Sequence, residues 1–150
     1  MSSCGHCEMP TNVKSAALLV DTSVAVALLL TDHDHHEQTF GALRDRRIGL
    51  AGHAAFETFS VLTRLPPPAR KTPATVVRLL ANRFPETRYL GAKSATALLA
   101  RLAAAGIAGG AVYDALVGAT AKEHQLPLAT RDRRALDTYR ALDVDVELLA

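Results

Sequence analysis

The chain has 150 residues, 49% of them hydrophobic, which suits one domain with a full core and excludes a largely disordered chain. Its 17 Lys and Arg against 15 Asp and Glu leave a formal charge of +2, too small an excess to mark a polyanion-binding protein by charge alone. The longest uninterrupted apolar stretch, 24–30, is too short to cross a bilayer, so no membrane partner is expected.

Residues 1–15 are polar and aperiodic and read as a flexible leader, with 16–150 as the folded domain. Cys4-Gly5-His6-Cys7 has the spacing of half a zinc site, but a structural zinc wants four ligands and the chain has no second Cys pair. With no signal-peptide pattern and no cysteine in the domain, a cytoplasmic protein is expected. Residues 16–20 form a short continuous apolar run, as in a strand buried on both faces. Asp21-Thr22-Ser23 then offers a cap for a helix over 24–30. The polar stretch 31–34 breaks that helix, and 35–46 reads as a second one. A strand over 48–51 leads into a helix that Pro66-Pro67-Pro68 terminates. Thr72-Pro73 opens the next helix, running to about Phe84, with a cap followed by Pro in the first turn. Residues 87–90 suggest a third strand, followed by a helix over 94–105, a glycine-rich connection, and a helix over 111–124. A strand over 126–130, a helix over 132–142 and a last strand over 144–148 complete the pattern. Strands alternating with helices predict a three-layer α/β/α sandwich around a mainly parallel sheet of four to five strands.

Four carboxylates stand out against this frame. Asp21 and Asp132 sit just beyond predicted strands, while Glu57 and Asp114 fall in early turns of predicted helices. Ligands of open α/β sheets bind beyond the carboxyl ends of the strands. Four acids from remote segments can therefore meet in one pocket. Each borders an apolar run, where an ionised group is costly unless compensated, and a shared hard cation would compensate all four. Each also has a plainer reading, as a helix cap or a first-turn acid favoured by the helix dipole. Their conjunction favours a site.

The segments Val20-Asp21-Thr22-Ser23, Phe56-Glu57, Val112-Tyr113-Asp114-Ala115-Leu116 and Leu126 to Leu136 resemble the PIN-domain family, and within it the VapC-type toxins of toxin–antitoxin pairs. The resemblance runs from about Ala16 to the C-terminus and leaves out the leader. It implies a PIN-like fold and an endoribonuclease dependent on Mg²⁺ (or Mn²⁺). It further implies a cognate small antitoxin protein that holds the enzyme inactive, an RNA substrate and a homodimer. By position, Asp21, Glu57, Asp114 and Asp132 match the family's acidic quartet, and Thr22 and Thr130 its supporting hydroxyls. On this reading Asp21 and Asp114 contact the metal, while Glu57 and Asp132 orient waters or hold a second ion.

Arg131, Arg133 and Arg134 flank the site and could grip RNA phosphates; Arg44, Arg46 and Arg47 read as plain surface. The adjacent His33, His35 and His36 read as a solvated loop, and His53 stands nearer the pocket. The antitoxin is expected in an apolar groove between the helices over 24–30 and 54–65. Two rivals remain: an aspartate-nucleophile phosphatase using Asp21, in which Ser23 stands where the usual second Asp would, and a non-catalytic PIN-like binding module.

Overall fold

The first strand, β1 (Ala17–Val20), is apolar and buried at every position, so it needs cover on both faces, as strands of parallel sheets do. The computed structural model describes residues 16–150; the leader with Cys4 and Cys7 lies outside them. With β2 (Arg47–Leu50), β3 (Leu128–Thr130) and β4 (Val146–Leu148), β1 forms a sheet of order β2-β1-β3-β4. Every neighbouring pair is parallel. All four carboxyl ends therefore open on one edge.

Seven α-helices cover the sheet among the described residues: α1 (Thr22–Leu29), α2 (His36–Leu43), α3 (His53–Thr63), α4 (Pro73–Arg83), α5 (Ala92–Ala105), α6 (Ala111–Glu123) and α7 (Leu136–Ala141). Alternation along β1 divides the core. Leu18 and Val20 pack with Val24 and Leu28 of α1, Leu43 of α2 and Ala55 of α3. Leu19 faces the other way, with Val117 and Ala121 of α6 and Tyr139 of α7. Helix α5 lies outside α6, through Leu98 and Leu102 on Ala115. The expected three-layer sandwich is present.

Residues 87–90, expected as a strand, form a single parallel bridge, Ala51 to Arg88. The segment follows β2 closely: Glu86 and Arg88 donate their N–H groups to the Ile48 and Leu50 carbonyls at 3.1 and 3.2 Å. The Leu50 N–H, however, goes to the Thr87 hydroxyl at 3.0 Å, so a side chain interrupts the ladder. Gly49 permits this approach, since a Cβ there would land on the Glu86 backbone.

Several boundaries also move. Helix α5 starts at Ala92, two residues early, after the Gly91 N–H is capped by Glu123 at 2.9 Å. The helix expected over 132–142 is a 3₁₀ turn, Arg133–Ala135, followed by α7. Strand β4 starts two residues late because Asp143 takes a positive φ of 57° and Val144 still donates to the Tyr139 carbonyl. Arg46, read as plain surface, forms a two-pronged ion pair with Glu147 of β4 at 3.1–3.2 Å.

The expected partner groove also shifts. Val24, Ala25, Ala27 and Leu28 of α1 are all buried, which leaves only Val26 and Leu29 of its apolar side chains half-buried. The apolar groove lies instead between α3 and α4, about 640 Å³ in volume, where Phe56, Val77 and Tyr89 stand exposed.

Gly52 sets α3 against α6. Its φ of +51° is a left-handed conformation that favours glycine, and a Cβ there would meet the Thr120 hydroxyl of α6 at 2.6 Å. We expect Gly52→Ala to destabilise the fold by about 1–3 kcal/mol, combining backbone strain with overpacking. Urea unfolding measures it, and an unchanged midpoint would refute this account of the α3–α6 contact.

Candidate active site

The carboxyl edge of the sheet collects side chains from four separated segments. Asp21 follows β1 directly and caps α1, its Oδ1 accepting the Val24 N–H at 3.3 Å. The same oxygen accepts the Ser23 hydroxyl at 2.6 Å, and Oδ2 accepts the Tyr139 hydroxyl at 2.9 Å. Asp21 is 5% exposed. Burial pushes its carboxyl above the usual range, while hydrogen bonds from Ser23, Thr130, Tyr139 and the Val24 N–H oppose the rise. The Tyr139 phenol is driven far up by its own burial and by the Asp21 charge, so it remains a donor.

Ser23 also ties two strand ends together. It donates to Asp21 and accepts the Arg131 backbone N–H at 2.9 Å, joining the β1–α1 corner to the turn after β3. Thr130, fully buried at the end of β3, accepts the Asp132 N–H at 3.0 Å and supports Asp21. Asp132 caps the 3₁₀ turn, accepting the Arg134 backbone N–H at 2.9 Å and its Nε at 3.3 Å. Glu57, in the second turn of α3, accepts the Thr22 hydroxyl at 3.0 Å. Asp114, in the first turn of α6, has no such donor among the described residues. Its carboxyl is raised by burial, then by the charges of Asp132, Asp21 and Glu57, with Arg134 opposing. That mutual influence brings the four predicted acids into one electrostatic neighbourhood.

Ser23 and Tyr139 were not expected as parts of the site. Ser23 was legible as a cap candidate beside Asp21; nothing in the sequence aims a tyrosine of α7 at β1. Of the arginines, Arg131 donates to Thr39 of α2 at 3.3 Å, whereas Arg133 and Arg134 are exposed. His53 stacks on Tyr113, one residue from Asp114, with ring centroids 5.0 Å apart.

Among the described residues, no group of three or more His, Cys, Asp or Glu side chains forms a ready-made metal cage. Asp21, Glu57 and Asp132 each have internal donors, and Asp114 alone has none. Mg²⁺ takes one or two direct carboxylates and keeps several waters. The all-oxygen donor set around Asp114 fits that sparse mode of binding, and an ion drawn to Asp21 would have to share it with its donors.

The family described as PIN domain matches residues 18–141. The chain belongs to the PIN-domain family. It is 47% identical over 133 residues to Ribonuclease VapC27 of Mycobacterium tuberculosis (strain ATCC 25618 / H37Rv), covering 89% of this chain and 97% of that protein. It is 50% identical over 131 residues to Ribonuclease VapC40 of the same species (strain CDC 1551 / Oshkosh), covering 86% and 96%. Among solved structures, this PIN domain is similar to VapBC2 from Rickettsia felis bound to a promoter DNA fragment. That match has a TM-score of 0.65 at 16% identity and covers 90% of this chain and 100% of the other. It is also similar to FitAB bound to IR36 DNA, with a TM-score of 0.63 at 22% identity, covering 87% and 94%. At such identities these two likenesses speak for the fold. No helix among the described residues is long and apolar enough to cross a membrane.

Two outcomes follow from this geometry. Tyr139→Phe leaves a buried carboxylate oxygen without its donor, which we expect to cost about 1–3 kcal/mol in urea unfolding. The raised Asp114 carboxyl sets a sign for pH. Its folded state takes up a proton more readily than its unfolded state. The stability this group contributes is therefore fully present below the ordinary carboxylate value of about 4 and is lost as pH rises through the raised folded value. Asp114→Asn removes that loss: thermal melts should match the parent near pH 3 and exceed it near pH 7.

Proposed function

We propose that this PIN domain, residues 16–150, is a divalent-cation-dependent endoribonuclease and the toxin of a toxin–antitoxin pair. The observation that carries the proposal is Asp114. It is a partly buried carboxylate, pressed by three other acids from remote segments and left without a donor, at the strand ends where α/β sheets bind ligands. Support for RNA as substrate comes from the curated relatives named ribonucleases. Support for an antitoxin comes from the structural neighbours, whose titles are those of VapBC and FitAB assemblies.

In this reading Asp114 and Asp21 hold Mg²⁺ or Mn²⁺. When bound, the ion supplies charge neutralisation at the scissile phosphate and lowers the pKa of a coordinated water. Glu57, fixed by Thr22, and Asp132, fixed by its turn, accept hydrogen bonds from waters and orient them. Thr130 and Ser23 keep Asp21 in place. Arg133 and Arg134 offer exposed cations to the strand's phosphates, and Arg131 lies behind them toward α2. The apolar groove between α3 and α4 suits an antitoxin helix or extended segment. Two-fold self-association, the commonest symmetry of soluble oligomers, completes the reading, with the cytoplasm as the compartment where RNA is met.

The phosphatase alternative fares worse. Its usual second aspartate is missing, since Ser23 stands there and is engaged with Asp21 and the Arg131 N–H. A binding module without chemistry has no need for an uncompensated Asp114.

The test uses purified full chain and a labelled single-stranded RNA pool. Cleavage should require Mg²⁺ or Mn²⁺, stop with EDTA, and fall about 10²-fold or more in Asp114→Asn, the loss typical when charge stabilisation is removed. Either cation should also raise the melting temperature of the parent and not of the variant. Cleavage that persists in EDTA would overturn the cation-dependent assignment.

A further inference from the structure

Resting on the ribonuclease reading, we infer that the hollow beside the acids, rimmed by His33, His35 and Arg134, binds a phosphodiester flanking the scissile one in the RNA strand. The hollow measures about 370 Å³, within the roughly 300–1,000 Å³ of small-ligand sites. Thr22, Ser23 and Asp132 also line it. Thr22 touches Glu57 and Ser23 touches Asp21, so the hollow shares a wall with the acid cluster. A strand with one phosphate at the acids can carry a neighbouring phosphate over that rim, because Asp132 belongs to both.

The opposite wall is rich in donors. The Arg134 side chain is 94% exposed, held by its Nε on Asp132, which leaves its terminal nitrogens for a ligand. His33 and His35 are prepared by the loop that carries them. The His35 backbone N–H donates to His33 Nδ1 at 3.1 Å, and the two rings stand 5.8 Å apart. With Nδ1 accepting, the His33 proton resides on Nε2, which makes that nitrogen a donor. His36 is different: its Nδ1 meets the Ala27 carbonyl at 3.0 Å, securing the loop to α1. The three neighbouring histidines therefore divide between one anchor and two donors facing a common space.

The chemistry favours phosphate over the other occupants. A protein partner's apolar segment finds little here, because Val26 is the one aliphatic side chain in the lining. A cation is disfavoured by Arg131 and Arg134 in the same lining and by the prior use of His33 Nδ1. A polyanionic strand meets donors on this side and the acids on the other.

The experiment measures steady-state cleavage of a defined single-stranded RNA by the full chain, together with its Mg²⁺-induced rise in melting temperature. His33→Ala/His35→Ala should raise KM about tenfold, as for lost hydrogen bonds to a charged group, with kcat and the Mg²⁺ response held. His33→Gln, which keeps a side-chain N–H donor, should retain most of the affinity that His33→Ala alone loses. An unchanged KM, or a loss confined to kcat, overturns the inference while leaving the ribonuclease reading intact. A parent chain that cleaves no RNA with Mg²⁺ or Mn²⁺ overturns both.

Discussion

The Asp21 carboxylate, nearly sealed beneath the edge of the sheet, is the constraint on which the arrangement turns. Burying an ionised acid costs several kcal/mol unless its lone pairs are met. Here the donors come from three directions: Ser23 and the Val24 N–H at the start of α1, Thr130 at the end of β3, and Tyr139 from α7 beneath the sheet. Satisfying this one group therefore fixes how the first helix leaves β1 and how α7 docks. It also fixes how closely the β1 and β3 corners approach, since Ser23 reaches on to the Arg131 N–H.

The other acids are compensated more lightly, and the gradient matters for chemistry. Glu57 has one hydroxyl from Thr22, and Asp132 has its own turn and Arg134. Asp114 has neighbours of its own sign and no donor of its own among the described residues. A site built this way keeps a rigid, inward acid as its foundation and leaves one acid demanding a counter-charge. On the proposed reading, a bound cation would relieve that repulsion and so link ligand binding to folding. Such local conflicts with an otherwise consistent fold are expected at functional sites.

The same balance explains which readings from the residues survived. The continuous apolar run of β1 and the Thr72-Pro73 helix start are local signals with local causes, and both appear as expected. The strand expected over 87–90 failed because pairing is a property of two segments. The Thr87 hydroxyl accepts the Leu50 N–H, and the ladder is broken from the side. The groove expected beside α1 failed for a related reason. An apolar helix announces that it will be buried, not what will bury it, and α1 is consumed by the core while α3 and α4 leave a face open. The histidines of the α1–α2 loop show the converse. His33 and His35 stay at least partly open to solvent as expected, yet both line the hollow beside the acids, while His36 ties the loop to α1.

The amino-acid order by itself determined the alternation of strands and helices, the parallel sheet with its carboxyl edge, and the identity of four acids that could meet there. These follow from periodicity, capping and chain direction, which act over a few residues. Tertiary structure decided which acid would be locked and which left uncompensated. It chose Ser23 and Tyr139 as the locking donors, turned Arg131 toward Thr39, and set His33 and His35 on the rim. Each of those outcomes is a contact between segments distant in the chain, and such contacts depend on where packing places both partners.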